Sequence, residues 1–171
     1  MMKLNNILLY AILISNLLVN CNKENHIDER LLEIDRIKNI SPDSILWKLE
    51  NCLSTTTFND FNKACYNVLL AEMRSKTGLD LLPSDSILDS SLKILIHAND
   101  KKMLARALIC KGKVWDELMV PQEAMLCFQK AIELTEERDY DLLTEGYACL
   151  GEIYLQQNLF NHALQTHKTI Y

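Results

Sequence analysis

The sequence of 171 residues has few of the residues that make tight turns between strands. It contains only 4 glycines and 3 prolines, and short hairpin turns depend on these residue types. Their scarcity indicates helices joined by short connections. Apolar residues make up 49% of the chain and charged residues 24%, which is ordinary for a globular protein that buries a substantial core.

The patterns of several function classes are also missing. There is no G-x-S-x-G, P-loop, H-E-x-x-H or paired-carboxylate motif, and glycine is too scarce for a phosphate-cradling loop. The cysteines show no C-x-x-C spacing, and His162 and His167 are five positions apart, on different sides of a helix. We expect no enzymatic activity, no cofactor and no metal site. A net charge of −5 without a basic block argues against nucleic acid as a partner.

Residues 1–20 have the composition of an export signal. Lys3 precedes an apolar run over residues 7–19 that is interrupted only by Ser15 and Asn16. This run is too short for a stable membrane span and fits the apolar region of a signal peptide. We therefore predict a signal peptide at 1–20.

The end of this segment resembles the lipobox of bacterial lipoproteins. In that family a cysteine is lipidated and becomes the first residue after cleavage. Leu18 fits position −3 before Cys21, whereas Asn20 stands where a small residue is usual. The resemblance implies a lipidated Cys21, a tether at 21–25 and a place on the periplasmic side of the cell envelope, anchored in the membrane. Ordinary secretion, an uncleaved anchor and a buried helix of a cytosolic protein are the alternatives.

The stretch from Leu104 to Tyr171 repeats one pattern at a distance of 39 positions, the separation of Gly112 and Gly151. The same shift places Trp115 over Tyr154, Cys110 over Cys149, Ala124 over Ala163 and Glu117 over Gln156. A fixed period in this range is typical of a solenoid of helix pairs. Gly112 lies on the packed side of its helix, where a missing side chain lets a neighbouring helix approach closely.

These repeats resemble the tetratricopeptide repeat (TPR). The matching residues are Leu108, Gly112, Trp115, Ala124, Phe128 and Ala131, and again Tyr147, Leu150, Gly151, Tyr154 and Ala163. Lys111 replaces an expected Leu, and Glu136 stands where Pro is common. The period exceeds the usual one of about 34 residues, which lengthens the loop at 137–141. The resemblance implies an all-α, right-handed superhelical solenoid of antiparallel helix pairs.

The front half carries weaker repeats. Ser41-Pro42-Asp43 has the composition of a helix start, and the residues at 43–46 recur at 85–88. We predict degenerate helix pairs at 26–99 and TPR-like repeats at 100–171, about eight helices in all. The last helix begins near Phe160 and is predicted to be incomplete.

The TPR resemblance also implies a concave groove lined by the first helix of each repeat. The residues expected there are Arg106, Ile109, Lys113, Asp116 and Glu117, followed by Glu145, Ala148, Glu152, Leu155 and Gln156. Arg106 and Lys113 have two interpretations. They bind a carboxylate of a peptide, or they are neutralised by Glu145 and Glu152 at the equivalent positions of the next repeat.

The function expected from this resemblance is a scaffold that binds proteins or peptides, exported and lipid-anchored. The alternative is the sensing N-terminal part of a membrane-linked bacterial transcriptional or signalling regulator, with an output domain beyond residue 171. The sequence leaves the oligomeric state open.

Overall fold

The computed structural model describes residues 25–170, and in this range it is all-helical, with eight α-helices and no strand. The helices are α1 (Glu29–Ile37), α2 (Pro42–Asn51), α3 (Asp60–Lys76), α4 (Asp85–Ala98), α5 (Lys101–Glu117), α6 (Pro121–Leu134), α7 (Tyr140–Gln156) and α8 (Phe160–Ile170), with a 3-10 turn at Leu82–Ser84. The all-α prediction with about eight helices is confirmed. The predicted signal peptide and Cys21 lie outside the described residues.

The helices pack in chain order. Three successive pairs, α3 with α4, α5 with α6 and α7 with α8, form the most extensive contacts. The first helices of these pairs, α3, α5 and α7, also contact one another in sequence, while α1 and α2 both pack on α3. This arrangement is consistent with a helical solenoid. The right-handed superhelix stays a prediction.

The core consists of apolar residues on the facing sides of the helices. In the front half, Leu31 and Ile34 of α1 and Leu49 of α2 are fully buried against Val68 and Met73 of α3. A second cluster lies between α5, α6 and α7. Its buried members are Ala105, Ile109, Ala124, Phe128, Ala131, Leu142, Leu150 and Ile153.

The two repeats have the same backbone geometry at their turns. Met119 after α5 and Asn158 after α7 lie 39 positions apart, and both have a left-handed backbone, with φ of 61° and 59°. The amide of Val120 donates to the Trp115 carbonyl at 2.9 Å, and Leu159 donates to Tyr154 at 2.8 Å. Such bonds satisfy carbonyls at helix ends. The repeat is therefore present in the backbone as well as in the sequence.

Gly112 allows the close approach that the sequence predicts. A Cβ atom built on Gly112 would lie 2.4 Å from Cε1 of Phe128 on α6. At the equivalent Gly151 a Cβ atom would lie 3.1 Å from Nε2 of His167, which occupies the slot of Phe128. In both repeats, the ring of the second helix packs on the glycine of the first.

The departures from the TPR pattern have structural counterparts. The loop between α6 and α7 covers residues 135–139 and takes up the extra length of the repeat. Lys111 is buried, and its Nζ lies 2.5 Å from Oδ1 of Asp85 and 2.7 Å from Oδ1 of Asp89. It also lies 5.0 Å from the centroid of the Trp115 ring. A lysine in place of the usual Leu thus joins α5 to α4 through charge.

Candidate functional site

One face of the first helices lines two neighbouring cavities, which we call the groove. The smaller cavity, of about 220 Å³, lies between α1, α3, α5 and α7 and includes Glu72, Arg106 and Glu145. The larger, of about 750 Å³, includes Lys113, Asp116 and Glu152. The groove therefore contains six of the ten residues expected there, together with charged side chains of α1 and α3.

Arg106 is buried in a network of ion pairs at the smaller cavity. Its Nε lies 2.5 Å from Oε1 of Glu72, and its Nη2 lies 2.6 Å from Oε2 of Glu72 and 2.7 Å from Oδ1 of Asp35. Lys38 binds the same two carboxylates, each at 2.9 Å. The four side chains join α1, α3 and α5.

The network holds its members in their charged forms. Burial alone would raise the pKa of Glu72, but Arg106 and Lys38 outweigh burial and hold it below its ordinary value. The same competition lowers the pKa of Asp35, and the two carboxylates raise the pKa of Arg106 against the effect of burial. Arg106 is only 4% exposed. Its guanidinium is therefore occupied by ion pairs within the fold and is not accessible to a ligand.

Lys113 makes the next ion pair between first helices. Its Nζ lies 2.8 Å from Oε1 of Glu145 on α7 and 3.1 Å from Oγ of Ser75 on α3. Burial would lower the pKa of Lys113, but Glu145 raises it. The expected pairs Arg106–Glu145 and Lys113–Glu152 are therefore wrong: the first helices do neutralise one another, but in a different register.

The observed register follows the helix starts. Glu72 lies 13 positions after the N-cap Asn59 of α3, and Arg106 lies 6 after the N-cap Asp100 of α5. Lys113 lies 13 after Asp100, and Glu145 lies 6 after the N-cap Asp139 of α7. Seven positions correspond to about 10 Å along a helix. Neighbouring first helices are thus offset, so equivalent residues are not opposite one another.

The other predicted groove residues have diverse environments. Ile109 is 2% exposed and belongs to the core between α5 and α7. Asp116 and Ala148 are half-buried, and Glu152 and Leu155 are exposed. Ile109 therefore has no accessible surface to offer, whereas Asp116, Glu152 and Leu155 do.

The connection between α3 and α4 also lines the groove, which the repeat pattern does not predict. Leu79, Asp80 and Leu82 line the larger cavity, and the two leucines are 50% and 40% exposed. The backbone amide of Leu81 donates to both carboxylate oxygens of Glu117, at 3.1 and 2.9 Å. Burial and the neighbouring Asp80 raise the pKa of Glu117. The signal for this contribution in the sequence is the joint at 78–83, which is longer than the connections between the helices that follow it.

Two of the thiols, at equivalent positions of the repeats, are packing groups. Cys110 and Cys149, equivalent in the two repeats, are buried and half-buried, and burial raises the pKa of Cys149 to about 11. No two cysteines in the described range are bonded to each other. Among residues 25–170, no three His, Cys, Asp or Glu side chains are grouped so that they could hold a metal ion.

Comparison of the chain with protein-family models, with curated proteins and with solved structures gives no match. Over the described range, none of the helices combines the length and the apolar character needed to cross a bilayer. The groove and the repeated pattern of the sequence are the features that bear on function.

Proposed function

We propose that the protein is a scaffold that binds a protein or peptide segment in the groove, exported and anchored through lipid on Cys21. The observation that carries the binding proposal is the larger cavity, which is open, accessible and of mixed polarity. Leu79 and Leu82 supply apolar surface, and Asp116 and Glu152 supply carboxylates. Such a lining suits an extended segment or the face of a helix.

The charges of the cavity define the ligand class. Lys113 is engaged with Glu145, while neither Asp116 nor Glu152 has an ion-pair partner within residues 25–170. Two carboxylates without cations favour a basic group on the ligand over an acidic one. The groove therefore fits a segment with apolar side chains and a lysine or arginine, and it disfavours an acidic tail.

A display selection with random peptides on the full chain tests this proposal. Selected peptides should be rich in apolar and basic residues and should bind the Asp116→Lys variant about tenfold more weakly or worse, because like charges are then opposed. Glu123→Lys is the matched control: it makes the same charge change at an exposed position of α6 outside the groove. Equal affinity for both variants would move binding away from the groove.

The membrane attachment has an independent test. If Cys21 is lipidated, the intact mass of the protein from the membrane fraction exceeds that of the polypeptide beginning at Cys21 by the mass of the acyl groups. A mass that still includes Met1 would refute processing at this site.

The second candidate is the sensing part of a membrane-linked regulator. It is favoured by apolar side chains exposed on α8, among them Phe160 at 63% and Leu164 at 56%, because further structure would cover them. Sequencing the coding DNA past the Tyr171 codon tests it: more repeats followed by an output domain would support the regulator, and an immediate stop codon would refute it.

A further inference from the structure

The ion pairs between neighbouring first helices, Glu72–Arg106 and Lys113–Glu145, form a row with a regular spacing. This spacing leaves Glu152 without an ion-pair partner among residues 25–170. In each pair, a residue 13 positions after the N-cap of one first helix contacts a residue 6 positions after the N-cap of the following first helix. The two residues have opposite charges in both pairs, Glu72 with Arg106 and Lys113 with Glu145. On α7 the residue 13 positions after Asp139 is Glu152, which is exposed. By this rule, a helix packed against α7 would place a basic side chain opposite Glu152.

The positions around Glu152 are more exposed than the equivalent positions of the preceding repeat. Ile109 of α5 is 2% exposed because α7 packs on it, whereas its equivalent on α7, Ala148, is only half-buried. Met125 of α6 packs on the core between the repeats, whereas its equivalent on α8, Leu164, is 56% exposed. The positions through which α5 and α6 pack on the next repeat are therefore more exposed at the equivalent places on α7 and α8.

We propose that this end of the array, formed by Glu152, Ala148 and Leu164, docks an amphipathic helix that carries a lysine or arginine opposite Glu152. The end surface lies across α7 and α8 and shares Glu152 with the groove. Ala148 and Leu164 line neither cavity of the groove, so docking at the end surface and peptide binding at Asp116 are tested separately. Charge complementarity and continuity with the interface between α5 and α7 identify the occupant. The apolar side of the helix covers Ala148 and Leu164, and its basic residue continues the row.

A second copy of the chain does not meet this requirement. In a head-to-tail stack, α1 of the second copy would meet α7, and the residue 6 positions after its N-cap Asp28 is Ile34, which is 1% exposed inside its own core. The basic residue nearest the groove on α1, Lys38, is already bound to Asp35 and Glu72. A separate helix with a free basic side chain is the better fit.

The probe is a helix that already obeys the rule. We would use a helix-stabilised, fluorescent peptide of residues 100–118, with Cys110→Ser to prevent oxidation, which presents Arg106 in the required slot. Its binding to the full chain would be followed by fluorescence anisotropy. Glu152→Lys should weaken binding about tenfold or more because like charges are then opposed. A probe with Arg106→Glu should recover affinity for that variant.

Two further variants separate the end surface from the groove. Leu164→Asp, on the end surface, should weaken binding of both probes, whereas Asp116→Lys, in the groove, should leave it unchanged. The proposal would be overturned if the probe did not bind, or if its affinity did not depend on the sign of the charge at position 152. It would also be overturned if Asp116→Lys abolished binding and Leu164→Asp did not. Self-association of the chain that Leu164→Asp abolishes would also overturn it, since the occupant would then be a second copy.

Discussion

The guanidinium of Arg106 on α5 donates two hydrogen bonds to the carboxylate of Glu72 on α3, of 2.5 Å from Nε and 2.6 Å from Nη2, and both side chains are buried. Breaking a buried pair from one side leaves an uncompensated charge, which costs about 3–5 kcal/mol. The pair is therefore the main electrostatic link between the front half and the repeats.

We predict that Arg106→Met lowers the free energy of unfolding by about 3–5 kcal/mol. Lys111→Met is the matched control, because Lys111 is also a buried cation. Its partners Asp85 and Asp89 have side chains 39% and 52% exposed and stay solvated when the lysine is lost. We expect a cost below about 1.5 kcal/mol for this control. Denaturant unfolding measures both, and equal losses would contradict the assigned role of Arg106.

The register of the row predicts which pairs are energetically coupled. A double-mutant cycle with Lys113→Met and Glu145→Gln should give a coupling free energy of about 0.5–1 kcal/mol, since the pair is in contact and partly shielded from water. The same cycle with Arg106→Met and Glu145→Gln should give a smaller value. Stronger coupling of Arg106 with Glu145 would restore the register in which equivalent residues pair.

Stability should depend on Glu72 in a defined pH range. Its pKa is lower in the folded state than its ordinary value of 4.5, so the unfolded chain takes up the proton first as the pH falls. The contribution is complete above pH 4.5 and is lost as the pH falls through the lowered pKa of the folded state. We expect the difference in unfolding free energy between wild type and Glu72→Gln to shrink between pH 7 and 3. A constant difference would contradict the charged state of Glu72.

The contact between Gly112 and Phe128 predicts a steric effect. Gly112→Ala should destabilise the fold by about 1–3 kcal/mol, because the new Cβ overlaps the ring. Gly151→Ala should cost less, since its Cβ meets His167 at 3.1 Å. Phe128→Leu in the Gly112→Ala background should recover part of the loss. Thermal unfolding of the three variants tests this, and an effect of Gly112→Ala that Phe128→Leu only increases would contradict the overlap.

The sequence predicted the helices and the repeat because both are written in local patterns. The turn at Met119 and its equivalent at Asn158 follow from the helix-ending residues around them. The glycine at position 112 predicts that a neighbouring helix approaches closely there. The partners of Arg106 and Lys113 were predicted wrongly, since alignment of repeats assumes that equivalent residues are opposite. The offset between neighbouring first helices is set by packing of whole helix pairs, and a single sequence does not display it.

The accessible part of the site was also only partly predictable. Ile109 was assigned to the groove by position, but the packing of α7 covers it. Leu79 and Leu82 reach the larger cavity through a loop with no counterpart in the repeat pattern. Loops of this kind depend on tertiary contacts such as the one between Leu81 and Glu117, which lie far apart in the sequence.

Site-specific photo-crosslinking in cells tests whether a partner binds in the groove. A photoreactive amino acid at position 116 faces the larger cavity, and one at position 123 lies on α6 outside it. We predict a discrete protein adduct from position 116 and none from position 123, and we expect the cross-linked partner segment to contain apolar and basic residues. The same adducts from both positions, or an adduct from position 123 alone, would contradict binding in the groove.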